Sequence, residues 1–239
     1  MLERLLDRLE ARYGELSPVG PREPYPLLIW LNCGYPASDS ACAKGFATLQ
    51  ARVGVSPEAI LAAPSTELAQ ALSAGGMVPE LRAERLKQIA ARVRDDHGGD
   101  LAAALNAPLA EARKVLKRFP TIGEPAADRI LLFCGLAPVP VAPGGALQVP
   151  IRLGLGVEVK DWGKTYASVR EALAAALPAD FQALQRAYLL LKAHGQATCK
   201  RSRPLCEDCP LTADCAWFLE VVAPAALRAR CDQAESPDR

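Results

Sequence analysis

Four cysteines, Cys199, Cys206, Cys209 and Cys215, constrain this chain more than any other feature of its sequence. With gaps of six, two and five residues between them, four thiolates converge only if the short loop wraps around a compact centre. A metal site is the economical explanation. Four sulfurs suit tetrahedral zinc or a cubane of iron and sulfide, and spacing alone leaves both open. Coincidence is the weaker explanation, because unliganded cysteines favour cores and this loop is polar. Cys33, Cys42, Cys134 and Cys231 lack such clustering. The first three read as small buried hydrophobes and Cys231 as an incidental tail thiol.

The opening Met1-Leu2-Glu3-Arg4 carries charge where a secretory signal needs an apolar stretch, so a cytoplasmic location is expected, nucleoid-associated in a bacterium. In that reducing compartment eight cysteines are ligands or buried thiols rather than disulfides. The uncharged run 130–151 is long enough to cross a bilayer, yet Pro138, Pro140, Pro143, Gly144, Gly145 and Pro150 interrupt it. A buried helix end followed by a loop is expected there. With half of its 239 residues apolar, the chain can fill one large or two modest cores. A net charge of +1 argues against a strongly electrostatic nucleic-acid binder, and a local basic patch stays open.

Apolar residues recur at helical spacing. Leu2, Leu5, Leu6, Leu9 and Tyr13 share a face that Gly14 ends, and a Pro/Gly-bearing link then leads to the apolar run Leu27–Leu31 and a polar turn. Ser56-Pro57-Glu58 and Ser65-Thr66-Glu67 read as capped helix starts. Further helices are expected over 79–94, 109–118, 124–133, 165–177 and 180–194, the last closed by Gly195. Only 155–159 hints at a strand, so the fold class is all-α.

The run His194-Gly195-Gln196-Ala197-Thr198-Cys199, with Pro204 before Cys206 and the pair Cys209-Pro210, resembles the cluster loop of endonuclease III and related DNA glycosylases. The resemblance implies a 4Fe-4S cluster on the four cysteines, with Lys200, Arg201 and Arg203 turned to DNA phosphates. A second match, Phe119-Pro120-Thr121-Ile122-Gly123-Glu124-Pro125, is similar to the helix-hairpin-helix signature leucine-proline-glycine-valine-glycine of that superfamily. A tight turn feeding a helix start offers backbone N–H groups to a phosphate without reading bases. Thr121, Ile122 and Gly123 are therefore expected at DNA, with Thr121 standing for the first glycine. Tyr35 resembles a lesion-flanking position, and Met77 lies where the family drives an apolar wedge into the stack.

The chemistry departs from the family. Pro125 occupies the position of the nucleophilic lysine, and counting back from Arg152-Leu153-Gly154-Leu155 puts Pro143 in place of the aspartate that stabilises the developing sugar cation. No carboxylate occurs from Ile130 to Val157, so no small shift of alignment restores the acid. Losing one well-placed electrostatic group costs about 3 kcal/mol of transition-state stabilisation, and losing the nucleophile removes the covalent route. Lys117, Asp128 and Asp39 are the substitutes available, each with a surface or structural role as the blander explanation.

The resemblance spans roughly residues 1–220 and implies two discontinuous helical lobes with DNA across their cleft. One is a bundle over 22–133 with its hairpin at 119–133, the other a cluster domain of 1–21 and 134–220, before a tail over 221–239. The implied function is a monomeric base-excision-repair protein on damaged or abasic double-stranded DNA, its glycosylase and AP-lyase activity weak or lost. The alternatives are an active glycosylase using a displaced group on an unusual lesion, and a cluster-bearing partner-binding or redox protein with no DNA role.

Overall fold

The apolar run after the first link is the middle of a helix that no periodicity announces, because nearly every side chain in it is buried. In the computed structural model, which describes residues 1–225, Pro24–Asn32 forms this element with Leu27, Leu28, Ile29 and Trp30 all inaccessible to solvent. It is the second of twelve α-helices among the described residues, α1 being Leu2–Tyr13 and α2 Pro24–Asn32. The chain divides into two units, one of Pro18–Pro138 and one joining Met1–Ser17 to the chain from Val139 onward.

In the Pro18–Pro138 unit α2 packs against α3 (Asp39–Arg52), α6 (Pro79–His97), α7 (Leu101–Leu105) and α9 (Glu124–Phe133). Between these run α4 (Pro57–Ala62), α5 (Ser65–Leu72) and α8 (Leu109–Leu116). Local chemistry sets the starts. The hydroxyls of Ser38 and Ser56 each accept an N–H at 3.1 Å from the third residue beyond, capping α3 and α4. The expected cap at Ser65-Thr66 does not form: Pro64 holds the N-cap position of α5 without a side-chain bond. Long α6 buries Leu86, Ile89, Ala90 and Val93 on one face and runs to His97, three residues past the expected end. Gly98 stops it in left-handed backbone, φ 59°.

The other unit is built on α12 (Phe181–Ala197), with α1, α10 (Gln148–Arg152) and α11 (Trp162–Ala176) completing it. Leu2, Leu5, Leu6 and Leu9 are buried in α1, which packs against α12. Across that seam Arg186 binds Asp7 and Glu10 at 2.8 Å and Glu3 at 3.3 Å. Gly195 does not close α12 but lies inside it. A Cβ there would stand 2.4 Å from that of Ala146, so glycine permits the close approach of the segment that contains α10. The segment 130–151 is the end of α9, an extended stretch, a 3-10 turn at Gly144–Ala146 and then α10, rather than a helix end and loop alone. No strand forms over 155–159. No helix among the described residues is long and apolar enough to cross a membrane. Cys231 and most of the expected tail lie outside the described residues.

Candidate cluster site and nucleic-acid interface

Cys199, Cys206, Cys209 and Cys215 all line one cavity. The C-terminus of α12 delivers Cys199, and two 3-10 turns, Cys206–Asp208 and Thr212–Asp214, present the other three. Val149, Leu153, Leu205, Leu211 and Trp217 make the rest of the wall largely apolar. Burial pushes the thiols of Cys206, Cys209 and Cys215 above their ordinary range, and neighbouring cysteine charge adds to it. Among the described residues no group of three or more His, Cys, Asp or Glu side chains is placed to hold a metal ion.

Sulfur-directed donors surround the cavity. The Leu211 N–H points at Cys209 Sγ (3.4 Å), and Arg152 Nη1 donates to Cys199 Sγ (3.3 Å). His194 Nε2 lies 3.6 Å from Cys209 Sγ while its Nδ1 meets the Tyr13 hydroxyl at 2.9 Å. Burial lowers the His194 pKa to about 4, which keeps the imidazole neutral. Gln148 holds the Cys199 carbonyl at 2.9 Å. Lys200, Arg201 and Arg203 are exposed on the same loop, with Arg201 3.9 Å from Glu158.

The second feature is the turn between α8 and α9. Thr121 adopts left-handed backbone, φ 66°, and its hydroxyl donates to Asn32 Oδ1 at 2.8 Å. Asn32 is itself buried, and its amide binds the Leu28 carbonyl at 3.0 Å. Gly123 caps α9 without a side-chain bond, and a Cβ built on it would meet nothing nearer than Pro125 Cδ at 3.8 Å. The chain thus leaves the approach to this helix start open. Ile122 is buried, so at that residue only the backbone is available to a partner.

Tyr35 and Met77 stand together at a third place. They are half exposed, 47% and 57%, and are joined by the Met77 N–H on the Tyr35 carbonyl at 2.9 Å. Beneath them lies Arg82, 1% exposed, whose guanidinium binds the carbonyls of Cys33 (2.6 Å), Gly76 (2.7 Å) and Met77 (3.1 Å). A Cβ at Gly75 would stand 1.9 Å from the Cys33 oxygen and one at Gly76 2.2 Å from the Tyr35 oxygen, so both glycines are required for this closure.

The residues at the expected catalytic positions are also defined. Pro125 sits in the first turn of α9, where its fixed φ and absent N–H are tolerated. Pro143 is buried just before the 3-10 turn at Gly144–Ala146. Of the substitutes, Asp128 is fully buried and paired to Arg113 at 2.7 Å, and Asp39 meets Arg129 at 3.4 Å. Lys117 is exposed at the end of α8. Sequence reasoning passed over Arg152, Gln148, His194, Arg82 and Asn32 as site residues. The signal available for Arg152 was its place in the Arg-Leu-Gly-Leu run, and for His194 its place at the head of the cysteine loop.

No protein-family model matches this sequence. No curated protein matches it either. Solved structures do. A trapped covalent endonuclease III–DNA intermediate is similar with a TM-score of 0.73 at 20% identity, covering 92% of this chain and 97% of that one. A thermostable thymine-DNA glycosylase gives 0.71 at 18%, covering 92% and 95%. The 3-methyladenine DNA glycosylase of H. pylori, bound to 1,N6-ethenoadenine, gives 0.55 at 18%, covering 82% and 93%. The chain therefore has the all-α helix-hairpin-helix fold of endonuclease III over nearly its whole length.

Proposed function

We propose that this protein binds double-stranded DNA, damaged or abasic, as a base-excision-repair protein whose glycosylase and AP-lyase activity is weak or lost, and that it carries a 4Fe-4S cluster on Cys199, Cys206, Cys209 and Cys215. The observation that carries the reading is a contrast. The open helix start at Gly123 and the exposed Tyr35–Met77 pair are present, whereas prolines hold both positions where the fold's chemistry is expected.

The donor set supports the cluster. Four thiols line one largely apolar cavity, and N–H groups aim at two of the sulfurs. A thiolate-held cubane is favoured by such donors. When bound, the cluster supplies a covalent clamp on the loop and a centre able to change charge by one electron. The chain's own residues do the gripping: backbone N–H groups at 121–123 meet one phosphate and the basic residues at 200, 201 and 203 meet others, while Tyr35 and Met77 fill the stack beside an extruded nucleotide. The acidic first turn of α9, Glu124, opposes tight phosphate binding there, and the exposed loop cations offset it.

Two measurements test this. Anaerobically purified protein is expected to contain iron and acid-labile sulfide in equal amounts, and stoichiometric zinc without sulfide rejects the cluster. Fluorescence anisotropy with a duplex containing an abasic analogue is expected to give salt-dependent binding that weakens in Arg201→Ala/Arg203→Ala. Affinity unchanged by salt and by that double substitution rejects the DNA role.

A further inference from the structure

The start of α11 carries an aromatic arrangement that neither the cysteine loop nor the hairpin turn uses. Trp162, the first residue of the helix, stacks on Tyr166 one turn later, with ring centroids 5.6 Å apart and planes 14° from parallel. A further turn along, the Arg170 guanidinium lies 5.9 Å from the Tyr166 ring centroid. Tyr166 is wholly buried, whereas Trp162 keeps 49% of its surface exposed. The indole is thus backed by a second ring and still open to solvent. A Cβ built on Gly144 would lie 3.8 Å from Trp162 Cζ2, so the indole adjoins the turn that follows Pro143, where Gly144 and Gly145 are exposed and add no side chain. The segment before α11 is pinned to it: the Val157 N–H donates to Ser168 Oγ at 3.0 Å and the Val159 N–H to Thr165 Oγ1 at 2.9 Å.

We propose that Trp162 is the stacking platform of a site for an unpaired nucleobase in a single-stranded segment of DNA, with Lys160 and Lys164 meeting the phosphates beside that base. The site goes beyond duplex binding by the hairpin turn and the cysteine loop, and it requires neither of them. Every base has a π-face, so an open ring backed by another accepts a base without reading its identity. Val157 and Val159, exposed to 64% and 45%, lie in the pinned segment and add apolar surface for a sugar. Charge selects the occupant. Both acids of the segment are engaged, Asp161 accepting the Lys164 N–H at 2.8 Å as the cap of α11 and Glu158 standing 3.9 Å from Arg201. Lys160 and Lys164 are exposed, two residues to either side of Trp162 in the chain. An apolar protein segment seated here would take water from two ammonium groups and give nothing back, whereas a strand supplies a phosphate to each. Because the segment is already fixed to α11, little order has to be created on binding.

The test titrates full-length protein against two fluorescent probes, a short oligothymidylate and a blunt duplex containing an abasic analogue, each over a salt series. Oligothymidylate affinity is expected to fall roughly tenfold in Trp162→Ala and only about twofold in Trp162→Phe, which keeps a ring to stack on. The blunt duplex should be bound equally by all three proteins. In Lys160→Ala/Lys164→Ala the slope of log affinity on log salt for oligothymidylate should drop by roughly one. Wild-type protein that does not bind oligothymidylate overturns the proposal, as does an affinity unchanged in Trp162→Ala or a loss there that is equal for strand and duplex. Displacement of the strand by an equal concentration of thymidine monophosphate also overturns it, since the site would then be one for a free nucleotide. Oligothymidylate binding without duplex binding would support this site while removing the duplex reading above.

Discussion

Thr121 stands in left-handed backbone, a conformation that costs a non-glycine residue about 1 kcal/mol. The bond from its hydroxyl to buried Asn32 is worth a similar amount, about 1 kcal/mol. Thr121→Gly is therefore expected to change stability by less than about 1 kcal/mol in urea denaturation, while tightening duplex binding by letting a phosphate approach the turn. Looser binding would show that the threonine serves contact rather than strain. Asp128 yields a second prediction. It is wholly buried against Arg113, so Asp128→Asn should destabilise the fold by about 2–3 kcal/mol through an unbalanced cation. A stability loss below about 0.5 kcal/mol would reopen a chemical role for it. The sequence made the exceptional residues at 121, 125 and 143 visible, because each departs from a motif at a countable position. It could not reveal that Asp128 is tied to Arg113, since that pairing exists only after α8 and α9 have packed.

At the scale of elements, legibility followed amphipathicity and caps. The faces of α1 and α6, the cap at Ser56 and the limits of α9 follow from local pattern. The helix α2 gave no period because it is buried all round, and α10 contains Pro150 within five residues, so both read as irregular. Gly195 was misjudged as a terminator because glycine at a helix end is usually a cap. Its actual requirement is the side chains of Ala146 and Val149 lying against it. Gly195→Ala is accordingly expected to cost about 1–3 kcal/mol by overpacking, checked by thermal unfolding of the cluster-free and loaded protein. A neutral result would mean that Ala146 moves aside freely. The Tyr35–Met77 edge depends in the same way on Arg82. Arg82→Met strips donors from three carbonyls and should cost roughly 3–5 kcal/mol, with loss of duplex binding exceeding loss of fold at temperatures where both survive. Unchanged duplex affinity in the folded variant would remove the edge from the interface.

Across the whole molecule, a chain without a matching family model retains the endonuclease III fold over 92% of its length at 20% identity. Packing constraints are met by many sequences, so a fold persists where sequence has diverged. The cysteine spacing pointed to one candidate site from sequence alone, because all four cysteines fall within 17 consecutive residues, 199–215. Its surrounding donors, Gln148, Arg152 and His194, stay silent until tertiary structure gathers them. The central claim is that the duplex-gripping surfaces outlast the bond-breaking groups. The most direct measurement is single-turnover turnover of a panel of damaged-base and abasic duplexes, each saturated with protein, with borohydride added to trap any Schiff base. Binding without base release, strand scission or a trapped adduct is the predicted result. Base release or a trapped adduct from wild-type protein, with the adduct lost in Lys117→Ala, would contradict it.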